Sequence, residues 1–207
     1  LRPMRIALVS PYSWTYPGGV TRHIEALSDE LLREGHDVRV LSPFDPPDAL
    51  SARLHRGAEP MLRETPENFV DLGRTVGYKS NGSISNMASF PTTVSLLRSE
   101  FARGGYDVVH LHEPVVPLPC WIAMGIAPQP LVGTYHTYGT NVGPHAIANF
   151  MGARRRMSRL GVRIAVSEAA EWTAKRFYGG RYRIIPNGVH VPEDLPLHAG
   201  LAAGPLK

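Results

Sequence analysis

The sequence predicts an α/β chain built on an open, doubly wound parallel sheet, and three observations lead there. Short apolar runs bounded by turns alternate with longer stretches whose apolar residues recur at helical spacing. That alternation continues almost to the end of the 207 residues, a length that supports one good-sized domain with its own core. The first apolar run also enters a Pro- and Gly-rich turn directly before a helical pattern, as expected where a strand feeds a right-handed crossover.

Residues 5–10 form the first predicted strand. Residues 20–33 follow as a helix with Val20, Ile24, Leu27, Leu31 and Leu32 at helical spacing, and Gly35 stops it. Residues 37–42 read as the second strand, and the proline-rich, mixed-charge segment 43–66 as a loop or small insertion. Short strands are expected over 68–72 and 75–78, before the turn at Asn81-Gly82. A helix over 92–102, with Pro91 near its first turn, precedes a strand over 108–112. A short helix over 120–126 leads to a strand over 131–135, and 146–160 is predicted as one helix. The strand 163–166 ends at Ser167, a natural N-cap for a helix over 168–177. Residues 184–185 close the pattern before Pro186-Asn187-Gly188. The tail 192–207 is rich in Leu, Ala, Gly and Pro and reads as a linker, which assigns the domain to residues 1–191.

Composition narrows the function classes. Hydrophobic content of 43% with 19% charged residues fits a folded protein rather than a disordered one. The single cysteine, Cys120, excludes an internal disulfide and fits a reducing compartment. The apolar run at 5–10 is too short for a secretory leader, and the stretch 115–127 is broken by Pro117 and Pro119, so a cytoplasmic location is expected. A net charge of +4 favours anionic partners. Arginines gather at Arg154, Arg155, Arg156 and Arg159, but no aromatic residues are interleaved with them, so nucleic acid is not an expected partner.

In an open parallel sheet the ligand crevice lies beyond the carboxyl ends of the strands, here residues 11–21, 113–114, 136–140 and Ser167. Within Pro11-Tyr-Ser-Trp-Thr-Tyr-Pro-Gly-Gly-Val20, Gly18 and Gly19 let a substrate approach backbone N–H groups at the positive end of a helix, a setting for phosphate. The Gly-x-Gly-x-x-Gly fingerprint of dinucleotide binding is absent, which removes most support for a nicotinamide enzyme. His136, directly after an apolar strand, is placed to bind phosphate or a sugar hydroxyl. His110-Leu-His112-Glu113 puts two imidazoles on one strand face, but no companion motif stands near it, so no metal ligand is assigned. No Gly-x-Ser-x-Gly elbow occurs and Cys120 has no evident base, which argues against a hydrolase.

An ordered set of motifs then carries a resemblance. It comprises Met4-Arg-Ile-Ala-Leu-Val-Ser-Pro-Tyr-Ser13, Pro17-Gly-Gly-Val20 with His23, Gly35-His-Asp-Val-Arg-Val-Leu41 and Asn81-Gly-Ser83. It continues with Tyr106-Asp-Val-Val-His-Leu-His-Glu-Pro114, Thr134-Tyr-His-Thr137, Ile164-Ala-Val-Ser167 and Ile185-Pro-Asn-Gly-Val189. The chain resembles the N-terminal domain of glycosyltransferase family 4 and, within it, the phosphatidyl-myo-inositol mannosyltransferases of actinobacteria. The resemblance implies a Rossmann-like domain forming one half of a GT-B glycosyltransferase. It also implies retaining transfer of a hexose, mannose or glucose, from a nucleotide-diphosphate sugar to a sugar, polyol or inositol-phospholipid acceptor. It makes His136 the essential catalytic residue, puts Gly18 and Gly19 beside the donor phosphates, and aligns Tyr12, Thr21, Asn81 and Ser83 with acceptor contacts. No cofactor is implied for this half alone, although a divalent metal can accompany the donor. The donor-binding half, with a paired-glutamate motif, is expected beyond Lys207, so the chain alone is expected to be inactive.

Three departures bear on the acceptor. The lipid enzymes carry a strongly basic helix that docks on the inner face of the membrane, whereas residues 91–103 hold only Arg98 and Arg103, offset by Glu100. Asn86 replaces a family arginine, and the 43–66 segment is longer than its counterpart. A soluble sugar or another phosphorylated acceptor therefore stands beside the lipid. The competing class is a non-catalytic domain that binds phosphorylated sugars or anionic lipid.

Overall fold

The apolar runs of the sequence become the strands of a seven-stranded, all-parallel sheet in a computed structural model that describes residues 2–55, 58–61, 64–80, 83–128 and 130–188. For Lys79, Ser80 and Ser83 the description is of the backbone. Asn81 and residues 189–207, which include the expected linker, lie outside the described residues.

Strands β1 (Arg5–Val9), β2 (Asp37–Ser42), β3 (Phe69–Asp71), β6 (Val108–His112), β7 (Leu131–Tyr135), β8 (Val162–Ala165) and β9 (Arg183–Ile184) are arranged in the order β3-β2-β1-β6-β7-β8-β9. The order reverses between β1 and β6, and this switch point opens a crevice at their carboxyl ends. Alternate β1 residues face opposite layers. Ile6 and Leu8 pack with Trp14, Val38, Val40 and Ile24 of α1 (Gly19–Arg33). Ala7 and Val9 pack on the other face with side chains from α3 (Thr92–Gly104), α4 (Cys120–Ile126), α6 (Ala153–Met157) and α7 (Glu168–Tyr178). Each large aliphatic side chain so buried contributes about 1.5–3 kcal/mol. Ser167 caps α7 as its residue type predicts, accepting from Ala170 N–H at 3.1 Å.

Three expectations are corrected. The single helix over 146–160 is two, α5 (Val142–Phe150) and α6, because Gly152 adopts φ 90° in the left-handed region and ends the first. The strands do not all join one sheet. β4 (Thr75–Ser80) pairs antiparallel with β5 (Ser83–Ala88), a strand the sequence reading missed, in a separate hairpin. The 43–66 segment is more than a loop, since it contains α2 (Ala49–Leu54), capped by Asp48 accepting from Ser51 N–H at 2.9 Å.

Asp45 explains how that segment is held. It is fully buried, and its carboxylate accepts from Ser13 Oγ at 2.7 Å, Thr75 N–H at 2.9 Å and Thr75 Oγ1 at 2.7 Å. His55 Nε2 lies 3.3 Å from the same carboxylate, its Nδ1 is 3.0 Å from Asn86 Oδ1, and its ring stacks on Tyr16. One carboxylate thus joins the first strand-to-helix turn, the segment after β2 and the β4–β5 hairpin. Asp45→Ala strands several buried donors at about 1–3 kcal/mol each, so urea unfolding is expected to show at least about 3 kcal/mol of destabilisation.

Candidate active site

The crevice at the β1/β6 switch point has two walls. The first is the turn after β1, held against the hairpin by Ala88 N–H donating to the Pro11 carbonyl at 2.8 Å and Ser13 N–H to the Asn86 carbonyl at 3.0 Å. It encloses a pocket of about 420 Å³ whose lining includes Tyr12, Gly18, Gly19, Thr21 and Asn86. Four of the sequence-predicted site residues therefore share one pocket. Gly18 is the N-cap of α1 with φ −108°, and Cβ atoms added at Gly18 or Gly19 would meet nothing within 4 Å. Neither backbone shape nor internal packing requires glycine there, and Gly18 has no side chain to cap the first N–H groups of α1. Thr21 is buried and its hydroxyl donates to the Ser13 carbonyl at 3.4 Å, so it braces the turn as well as lining the pocket. Asn86 has its side-chain Oδ1 engaged by His55 Nδ1 at 3.0 Å. Asn81 lies outside the described residues, and Ser83 is placed only by its backbone, opposite Ser80 at the hairpin end.

The second wall is a histidine cluster. His136 Nε2 lies 3.2 Å from His112 Nδ1, and the His23 ring meets both rings edge-on at centroid distances of 5.2 and 5.5 Å. His23 follows Gly19 by one helical turn, which links the cluster to the glycine turn. His110 stacks on His112 at 4.4 Å and contacts Thr134 Oγ1 at 2.7 Å. Burial lowers all four imidazole pKa values, His110 to about 4, His136 to about 3 and His112 well below the ordinary range, with neighbouring imidazoles adding to the effect on these three. The cluster is consequently neutral near neutral pH.

Neutrality lets a tautomer be assigned. His112 Nε2 is buried without a hydrogen-bond partner. An unpartnered lone pair costs less than an unpartnered N–H, so the His112 proton sits on Nδ1 and is donated to His136 Nε2. His136 must then carry its own proton on Nδ1 and offer it as a donor. Companions for His112 do exist, contrary to the sequence reading: one ligand atom from each of His23, His112 and His136 lies within 4.8 Å of the others. Three neutral imidazoles suit an ion such as Zn²⁺, whereas Mg²⁺ prefers oxygen ligands.

Glu113 aims the cluster. It follows β6 in the left-handed region at φ 52°, and its buried carboxylate accepts the backbone N–H groups of His136 and Thr137, both at 2.7 Å. Burial raises its pKa to about 7, against these hydrogen bonds, which lower it. The sequence places Glu113 at the crevice and offers His112 as a metal ligand without companions, but it assigns no role to Glu113, His112 or His23. The available signals were the one-turn spacing of His23 from Gly19 and an acidic residue directly after an apolar strand.

Acid should undo this site. Unfolded histidines take up protons below their ordinary pKa of 6.5, while folded His110 and His136 resist doing so until about pH 4 and about pH 3, so stability is lost across that interval as pH falls. Glu113 acts oppositely between about 7 and its ordinary 4.5, one carboxyl against four imidazoles. The urea midpoint is expected to fall from about pH 7 to about pH 5, and less steeply in His136→Asn. Nitrogen-15 NMR is expected to show His136 neutral and protonated on Nδ1 at about pH 6.

Comparison with known proteins agrees with this architecture. Residues 17–192 match the profile of Glycosyltransferase Family 4. The chain is 34% identical to a phosphatidyl-myo-inositol mannosyltransferase of Propionibacterium freudenreichii over 94% of its own length and 48% of the relative's. It is 36% identical to the enzyme of that name from Mycobacterium tuberculosis, over 91% of the chain and 46% of the relative. The chain thus spans about half the length of the curated relatives it matches. Among solved structures, sucrose-phosphate synthase of Thermosynechococcus elongatus superposes with a TM-score of 0.55 at 15% identity, covering 89% of this chain and 48% of that one. A Rickettsia africae glycosyltransferase gives 0.53 at 16% identity, over 91% and 44%. These likenesses show the fold, the Rossmann-like half of a GT-B enzyme, and the sequence match shows the lineage: the chain belongs to glycosyltransferase family 4.

Proposed function

We propose that this chain is the acceptor-side half of a retaining hexosyltransferase that moves mannose or glucose from a nucleotide-diphosphate sugar to a polyol-bearing acceptor, with an inositol phospholipid as the leading candidate. The donor's bond between anomeric carbon and phosphate oxygen breaks, a bond to an acceptor hydroxyl forms, and that hydroxyl's proton leaves with the nucleotide diphosphate. The observation that carries the reading is the neutral His136, aimed by Glu113 and packed against His23, which stands one helical turn from Gly19 on α1.

In this reading the glycine turn receives diphosphate oxygens, and Nδ1–H of His136 donates to a sugar hydroxyl or to the oxygen on which charge develops. A neutral imidazole does so without attracting a competing anion. Tyr12 and Thr21 form the acceptor wall, and Asn81 and Ser83 are proposed as further acceptor contacts. The second half, outside this chain, supplies most donor contacts and excludes water on closing. A divalent ion accompanying the donor would rest mainly on diphosphate oxygens, with the three imidazoles as the alternative holders among the described residues. The reaction belongs at the cytoplasmic face of a membrane if the acceptor is a lipid.

In the protein that includes both halves, His136→Ala is expected to lower transfer at least about 100-fold with the folded circular-dichroism spectrum retained; near-normal turnover would refute the assignment. Gly19→Ala places its methyl in open space, so stability should stay within about 1 kcal/mol while transfer falls about 10-fold or more. Nucleotide-diphosphate release is the readout for both, and the 207-residue chain alone is expected to give none.

A further inference from the structure

The segment between β7 and β8 combines two features that a folded domain rarely leaves uncovered together. Helix α5 buries none of its residues, and Val142, Ile147, Phe150 and Met151 are all exposed, Phe150 to 95%. Directly after it, α6 presents Arg154 and Arg155, with Arg159 one turn beyond, all exposed. Arg155, Arg156 and Arg159 share one hollow with Phe150 and Met151. Arg156 serves the fold, lying 4.6 Å from the Trp121 ring centroid and donating to the Met151 carbonyl at 2.7 Å. Among the described residues no carboxylate pairs with Arg154, Arg155 or Arg159. The sequence holds no Asp or Glu between Glu113 and Glu168, so the segment is cationic without local compensation.

We infer that the α5–α6 face docks on an anionic lipid bilayer. Apolar side chains beside guanidinium groups match the acyl–headgroup boundary, where the rings and aliphatics enter the apolar layer and the cations meet phosphates. A groove of about 1010 Å³ strengthens the assignment. It is lined by Tyr12, Glu113 and Thr137 at the site and by Ile147 and Met151 at this face. A molecule seated with its tail at α5 would therefore present its head to the crevice. Helix α3, with Arg98 and Arg103 flanking Glu100, has no comparable apolar companion to its charges and is not the docking element.

Sedimentation with vesicles tests this without donor or acceptor, so its outcome is separate from that of the transfer reading. The chain is expected to pellet with phosphatidylcholine vesicles containing phosphatidylglycerol, to stay in solution with phosphatidylcholine alone, and to be released by salt. Arg155→Gln with Arg159→Gln should weaken binding about 25-fold, roughly fivefold for each charge lost. Phe150→Ser should weaken it too with an unchanged melting temperature, since the ring contacts little of the fold. Arg98→Gln with Arg103→Gln, the same charge change on α3, should leave binding within about twofold. The inference is overturned if the unaltered chain ignores anionic vesicles, or if the two double variants lose binding equally. It is also overturned if analytical ultracentrifugation shows a dimer that Phe150→Ser dissolves, because the face would then be covered by a second copy.

Discussion

A buried carboxylate ties together the two strand ends on which the histidine wall is built. Glu113 leaves β6 in a backbone conformation that L-residues avoid and sits out of water, two costs that require compensation. Compensation comes from two charge-assisted hydrogen bonds to consecutive N–H groups at the exit of β7. Because those groups belong to His136 and Thr137, the same bonds that make Glu113 tolerable fix the direction in which His136 leaves the sheet. His112, the residue before Glu113, then completes the geometry from β6, and His23 carries it to the first turn of α1. The geometry of the histidine wall thus follows from one buried ionisable group.

A second buried carboxylate does comparable work on the other wall. Asp45 gathers the turn after β1, the segment after β2 and the hairpin, none of which belongs to the parallel sheet's own hydrogen-bond ladder at that point. The glycine turn is therefore bounded by polar networks on both sides, in addition to the apolar packing of Trp14. Fully satisfied networks of this kind are rigid and geometrically specific, so they fix the course of the turn's backbone.

Much of this was legible in the residues. The strand–helix alternation located β1, α1, β2, β6, α4 and β7 to within a residue at each end, and the switch-point rule led to Gly18, Gly19 and His136. What was lost depended on tertiary distance or on weak local signals. Asp45 and His55 lie ten residues apart in a proline-rich stretch, and nothing in their spacing indicates that they meet. Strand β5, Ser83-Ile-Ser-Asn-Met-Ala88, mixes polar and apolar residues, and the Asn81-Gly82 turn before it was read without its second arm. Gly152 interrupts a run otherwise well suited to one helix, and only its positive φ reveals the break. His112 stood in view, but its companions come from α1 and β7, which the chain brings together only by folding.

The outermost strands carry a consequence of their own. At one border of the sheet β3 has three residues, and at the other β9 has two. A parallel sheet with long free borders would offer a template for intermolecular pairing and fibre growth. Among the described residues, the unpaired backbone groups at each margin of this sheet are few, a short template for any such register.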